Sequence, residues 1–172
     1  MKAHYCLQCG KVLSRTDIDG VIRESCPVCG WVNFPVIKVG AGGIVEREGR
    51  ILLARRTFEP WKDCWYIPAG YLEAGECPDL AAEREIEEET GLKVKTLEII
   101  DVFHYSDDPR GEGLLILYRC EWIGGVPSAS REVSELAFFS PQEIPANLAG
   151  EAHTRAVEQW VHKNSAAHEG EI

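Results

Sequence analysis

The sequence predicts an α/β sandwich preceded by a small cysteine-held module. Three observations carry that expectation. Short apolar strand-like runs separated by turn signals recur between Val39 and Phe139. Two longer segments show helical periodicity instead, one ending near Thr90 and one running from Leu148 to about Lys163. Four of the seven cysteines stand as two Cys-x2-Cys pairs near the N-terminus. A chain of 172 residues suits one ordinary domain, or one domain and an appendage. Its 45% hydrophobic content suffices for a core, and no apolar run approaches the length of a membrane span.

The N-terminal pairs are Cys6-x2-Cys9 and Cys26-x2-Cys29, with sixteen residues between them. This is the spacing of a four-thiolate zinc site. Gly10 and Gly30 follow the second cysteine of each pair, where a tight knuckle favours a residue without Cβ. A disulfide reading needs an oxidising compartment, which nothing in the sequence suggests. Residues 1–35 are therefore read as a zinc ribbon. Asp17-Ile-Asp-Gly20 forms its hairpin tip, with Val12-Leu13 and Val21-Ile22 on the arms. So short a piece cannot build its own core, and bound metal supplies the missing folding energy. Cys64, Cys77 and Cys120 are read as small apolar residues.

Asn33-Phe34-Pro35 is the junction, and residues 36–164 form the main domain. Val39 to Glu46 is a strand, Glu48-Gly49 a turn and Arg50 to Arg55 a second strand, together a hairpin. Trp61 to Trp65 is an aromatic loop. Pro78-Asp79 opens a helix that runs to Thr90, where Gly91 stops it. Val94 to Tyr105 alternates as a strand, Ser106 to Glu112 is a polar loop, and Leu114 to Trp122 is a long strand ended by Gly124-Gly125. Glu135 to Phe139 is a short strand. Leu148, Ala152, Ala156 and Trp160 recur every four residues in the last helix. Residues 165–172 are expected to be a disordered tail.

The chemistry concentrates in the first helix. Glu85, Glu88 and Glu89 fall at i, i+3 and i+4, so their carboxylates share about a third of the helix circumference. Like charges at that spacing cost an isolated helix roughly 0.2–0.5 kcal/mol per pair. A segment that keeps them together calls for a cation, and oxygen-only ligands suit Mg²⁺ or Mn²⁺. Ala82, Ile86 and Thr90 make the adjacent, sheet-facing stripe. Glu83 and Glu87 fall on a third face and are read as solvated charges.

Gly70-Tyr-Leu-Glu-Ala-Gly-Glu76, seven further residues and Arg84-Glu-Ile-Glu-Glu-Glu-Thr-Gly-Leu92 together match the Nudix box, G-x5-E-x7-R-E-U-x-E-E-x-G-U with U aliphatic. A chance match is on the order of one in ten million at ordinary residue frequencies. The chain thus resembles the Nudix hydrolases, which cleave nucleoside diphosphates linked to another moiety. The resemblance implies a Nudix-type α/β/α sandwich with a mixed sheet. It implies Mg²⁺ or Mn²⁺ held by Glu85, Glu88, Glu89 and the Gly70 carbonyl, with Glu76 close by and held by Arg84. It also implies attack of water on phosphorus without a covalent enzyme intermediate. No Ser/His or Cys/His constellation competes, and His104, His153 and His162 are read as surface or packing residues. Glu132 and Glu135 occupy a region where relatives place a further metal-facing glutamate.

The ribbon and the run Trp65-Tyr-Ile-Pro-Ala-Gly-Tyr-Leu-Glu-Ala-Gly-Glu76, with Leu52-Leu-Ala-Arg-Arg56 before it, resemble the FAD and ADP-ribose pyrophosphatases. The NADH pyrophosphatases share the ribbon, but their motif S-Q-P-W-P-F-P-x-S has no counterpart after Leu92. Pro109, seventeen residues after Leu92, lies close to where ADP-ribose enzymes carry a proline. The coenzyme A signature is absent. Arg55 or Arg56 is expected to bind phosphate, and only one of these strand neighbours can face the cleft. Phe58, Trp61, Trp65, Phe103 and Tyr105 are the aromatic residues that could stack on a base.

The net charge of −10 argues against a protein held to nucleic acid by general electrostatics. The expected partner is a small dinucleotide, not nucleic acid or membrane. The N-terminus lacks a charged-then-apolar signal pattern, so a cytoplasmic location is expected. The resemblance adds a homodimer, the state of many relatives. A sensor that binds nucleotide without cleaving it is the competing class, and such domains typically lose box residues that are intact here.

Overall fold

The computed structural model describes residues 4–168. The chain divides into two compact units between Val36 and Ile37.

In the first unit, β1 (Ser14–Ile18) and β2 (Val21–Ser25) form an antiparallel hairpin around Asp19-Gly20. The Gly20 N–H donates to Asp17 Oδ1 at 2.8 Å, closing the turn. β3 (Val32–Asn33) adds a third strand beside β2. Val12 and Leu13 lie before the hairpin and not on its arm; Val12 instead bridges to Tyr5. Val21 and Ile22 are exposed, since no second layer covers this sheet within the unit. Among the described residues of the unit, only Cys6 and Cys26 are buried.

In the second unit, β4 (Lys38–Arg47) and β5 (Arg50–Arg56) make the expected hairpin. β6 (Trp65–Tyr66) and β7 (Ala69–Tyr71) are short. α1 (Pro78–Thr90) follows, then β8 (Leu92–Tyr105), β9 (Gly113–Gly125), β10 (Val133–Phe139) and α2 (Gly150–His168). The sheet order is β10-β5-β4-β9-β8, with β6 beside β5 and β7 beside β4. β4 and β9 run parallel and the other pairs antiparallel, so the sheet is mixed.

Strand alternation sends successive residues to opposite faces. Val45, Leu52, Tyr118 and Cys120 meet Ala81, Ala82 and Ile86 of α1. Ile44, Ile51, Leu53, Leu115 and Leu117 meet Ala152, Ala156, Val157 and Trp160 of α2. The two helices therefore cover opposite faces of one sheet, and both apolar stripes expected from the sequence are buried.

α1 begins at Pro78 and ends at Gly91, whose N–H donates to the Glu87 carbonyl at 2.8 Å. Glu83 is not a free surface charge. It accepts from the Thr96 N–H and hydroxyl at 2.9 Å each and from Lys95 Nζ at 3.1 Å, tying α1 to β8. α2 runs through residues 165–168, which were expected to begin a disordered tail; 169–172 lie outside the described residues. No helix among the described residues is long and apolar enough to cross a membrane.

Candidate active site

A cavity of about 630 Å³ opens beside the carboxylate face of α1. Glu85, Glu88 and Glu89 line it, with Gly70, Arg84 and Glu132. The three helix carboxylates differ sharply in setting. Glu88 is 61% exposed and Glu85 15%, while Glu89 is buried. Burial pushes the Glu85 carboxyl above its ordinary range and Glu89 up to about 8. Burial disfavours the charged form of both carboxyls, a cost that a cation beside them would offset.

Each carboxylate has its own support. Arg84 Nη1 donates to Glu85 at 2.7 Å and to Glu88 at 3.2 Å. Its Nε and Nη2 grip Glu76 at 2.7 and 2.9 Å, and Nη2 also reaches the Tyr71 carbonyl at 3.2 Å. That pairing holds the Glu76 carboxyl down at about 2. Glu89 has no arginine. Tyr66 Oη donates to its Oε1 at 2.6 Å and the Ala69 N–H to its Oε2 at 3.0 Å.

Gly70 earns its place by close approach. A methyl on its Cα would run into the Glu85 carboxylate, with Glu85 Cδ and both oxygens as the nearest atoms. Only a residue without Cβ lets β7 pass this near to the helix. Glu85, Glu88 and Glu89 all line the cavity beside this close approach, and carboxylate oxygens are the donors a hard divalent cation takes, although among the described residues no three of their oxygens converge as the four cysteine sulfurs do.

The upper walls come from three segments. Trp65 exchanges backbone hydrogen bonds with Asn147 and Ala149, which brings the start of α2 against β6. Gly150 and His153 of α2 thereby reach the cavity. The loop before β10 is pinned by Thr57, whose N–H and hydroxyl donate to the Glu132 and Arg131 carbonyls. The loop after β8 contributes Asp107, Asp108 and Arg110. Asp108 grips Arg110 bidentately, and the guanidinium lies 5.7 Å from the Tyr71 ring centroid.

The pair of strand arginines separates as alternation requires. Arg56 lines the cavity, stacked on Phe58 at 4.5 Å and on Tyr66 at 5.3 Å, with Nε donating to the Pro60 carbonyl. Arg55 does not line it, and turns to the Asp63 carbonyl and to Glu135. The two later glutamates part company: Glu132, in the loop before β10, lines the cavity, whereas Glu135 lies opposite Arg55 on β5 and pairs with it outside the cavity. Trp65 and Phe103 are buried in the core and do not line the cavity. Trp65 packs edge-on against Phe139 at 4.9 Å, because β6 pairs inside the sheet and turns its tryptophan toward α2. Tyr105, Phe58 and Trp61 do line it.

Sequence reasoning missed Tyr66, Tyr71, Arg110 and His153. The first two lie inside a quoted motif, but no spacing rule links Tyr66 to Glu89 across 23 residues. His153, read as a surface or packing residue, lines the cavity, with Nδ1 buried and unpartnered and its ring edge-on to Tyr66 at 5.6 Å.

In the ribbon, the Cys6, Cys9, Cys26 and Cys29 sulfurs lie within 4.8 Å of one another. The Cys6–Cys29 and Cys9–Cys26 separations are 3.5 and 3.4 Å. A tetrahedral zinc–thiolate site has sulfur edges of about 3.8 Å, so the cluster fits that ion. The two knuckles repeat one hydrogen-bond pattern, Gly10 N–H to Cys6 O and Gly30 N–H to Cys26 O, with both glycines at positive φ.

Residues 36–161 match the NUDIX domain family. The chain is 38% identical over 108 residues to an ADP-ribose pyrophosphatase of Methanocaldococcus jannaschii, covering 62% of this chain and 64% of that protein. It is 30% identical over 144 residues to the NAD-capped RNA hydrolase NudC of Pseudomonas aeruginosa, covering 82% of this chain and 49% of that one. The chain thus spans about half to two thirds of the length of these two relatives. Among solved structures, a NUDIX hydrolase from Nitrosomonas europaea superposes with a TM-score of 0.77 at 27% identity, covering 94% of this chain and 92% of that one.

Proposed function

The chain belongs to the NUDIX family, and on that premise we propose that it hydrolyses the pyrophosphate link of a nucleoside diphosphate derivative, ADP-ribose or FAD first, releasing AMP. The observation that carries this reading is the set of three carboxylates lining one cavity that Arg56 also lines. The likeness to a protein named ADP-ribose pyrophosphatase favours that substrate.

Glu85, Glu88, Glu89 and the Gly70 carbonyl would hold Mg²⁺ or Mn²⁺. A cation there would supply neutralisation of pyrophosphate charge and a lowered pKa for water. The chain's own residues do the rest. Arg84 holds Glu76 and spans Glu85 and Glu88, keeping the repelling carboxylates in register. Arg56 is fixed by two rings and one carbonyl, and offers its remaining N–H groups to a phosphate. Glu132 lines the same cavity and its charge helps raise Glu85, which supports assigning it to accept the proton of the attacking water. Phe58, Trp61, Tyr71 and Tyr105 offer aromatic faces to a base or flavin. The four ribbon thiolates hold a structural zinc.

A panel of ADP-ribose, FAD, NADH and NAD-capped RNA, compared by kcat/KM with product analysis, tests the reading. AMP release from ADP-ribose or FAD with Mg²⁺, abolished in Glu89→Gln while the protein stays folded, is the expected result. A chain that binds ADP-ribose and leaves it intact is a sensor instead.

A further inference from the structure

We propose that Tyr66 is a positioning residue for Glu89, its hydroxyl fixing the direction in which that carboxylate faces the cavity. The proposal rests on the reading of Glu89 as a cation ligand.

Of the three carboxylates on this face of α1, Glu89 alone makes no hydrogen bond to an arginine. Its two oxygens are each held once from outside the helix, Oε1 by Tyr66 and Oε2 by the Ala69 N–H. The Tyr66 contact, at 2.6 Å, has the length of a charge-assisted O–H···O⁻ bond. Each oxygen keeps a further lone pair for another ligand. A neutral donor orients the carboxylate without cancelling its charge, whereas the arginine that serves Glu85 and Glu88 competes with any cation for them.

Tyr66 is itself immobile. It is 1% exposed, its backbone pairs with Ala54 across β5, and its ring is boxed by His153 at 5.6 Å and the Arg56 guanidinium at 5.3 Å. A rigid donor transmits a fixed geometry, which is what a ligand-orienting group requires. Glu89 thereby depends on β6, a strand outside the box helix, and on α2 through His153.

Tyr66→Phe keeps the ring and its packing and removes one hydroxyl. The test measures Mn²⁺ affinity by the electron-spin signal of free Mn²⁺ in the full-length wild type, Tyr66→Phe and Glu89→Gln. It also measures kcat, KM and Tm, with ADP-ribose as substrate. Loss of a group supporting a metal ligand typically costs about 10–100-fold in affinity or activity. We expect that loss in Mn²⁺ affinity and in kcat for Tyr66→Phe, with KM for ADP-ribose within about twofold, since the phosphate contacts are untouched. A purely structural role would lower Tm and leave Mn²⁺ affinity of the folded protein unchanged.

Wild-type Mn²⁺ affinity in Tyr66→Phe, alongside lost affinity in Glu89→Gln, overturns the proposal and leaves the cation site standing. Wild-type affinity in Glu89→Gln overturns the premise, and the proposal with it. Should Tyr66→Phe not fold, the protein labelled with 3-fluorotyrosine gives an independent readout. The ¹⁹F resonance displaced by Glu89→Gln marks Tyr66, and it should move on titration with Mg²⁺. A resonance indifferent to Mg²⁺ counts against the proposal.

Discussion

At Gly70 a single absent carbon controls the site. Gly70→Ala drives a methyl into the Glu85 carboxylate, which must swing away. A fall of about 10–100-fold in kcat is expected, the usual cost of a misplaced ligand, and Mn²⁺ titration should show weaker binding in a protein of near-native secondary structure. Glu76 offers a pH test. Arg84 lowers its carboxyl from the ordinary 4.5 to about 2, so the pair's stabilisation is fully present above 4.5 and is lost as pH falls toward 2. The Tm gap between wild type and Glu76→Gln should therefore be widest above pH 4.5 and narrow on acidification. Of the site residues, the helix carboxylates were legible because 3.6-residue periodicity alone puts them on one face. Trp65 was misjudged because aromatic character does not say which side of a strand a ring will occupy. Its indole packs against Phe139 while its neighbour Tyr66 reaches Glu89.

At the scale of elements, α1 is held by more than its apolar stripe. Glu83 accepts three hydrogen bonds from Lys95 and Thr96 on β8. Glu83→Ala leaves the Thr96 N–H and hydroxyl without their partner, so a loss of about 1–3 kcal/mol is expected. Urea denaturation should show a lower midpoint, with any kcat of the folded protein little changed because Glu83 does not line the cavity. A wild-type midpoint would return Glu83 to the role of a solvated charge. Helix starts, stops and strand alternation were readable from Pro78, Gly91 and the apolar runs. The pairing of β10 with β5 was not, and it sets Glu135 opposite Arg55 outside the cavity while Glu132, in the loop before the strand, lines it.

In the molecule as a whole, two units rest on different physics. The second buries two apolar clusters on opposite faces of a mixed sheet. Among its described residues the first buries only Cys6 and Cys26, too small a core to fold unaided. Metal analysis should find one zinc per chain. Cys26→Ser or a strong zinc chelator should open the first unit to proteolysis at Lys11, Arg15 and Arg23 while residues 37–168 stay protected. Retained protection after zinc removal would show that the ribbon holds without metal. By itself the sequence determined the cysteine cluster, the carboxylate face and the α/β pattern, because each depends on spacing within a few residues or on a repeat along one element. The tertiary structure alone decided the cavity. It chose Arg56 over Arg55 and Glu132 over Glu135, and it brought Tyr66 to Glu89 and His153 to Tyr66. Those choices depend on which strands pair and in what register, and so on contacts between residues far apart in the chain, which no local periodicity encodes.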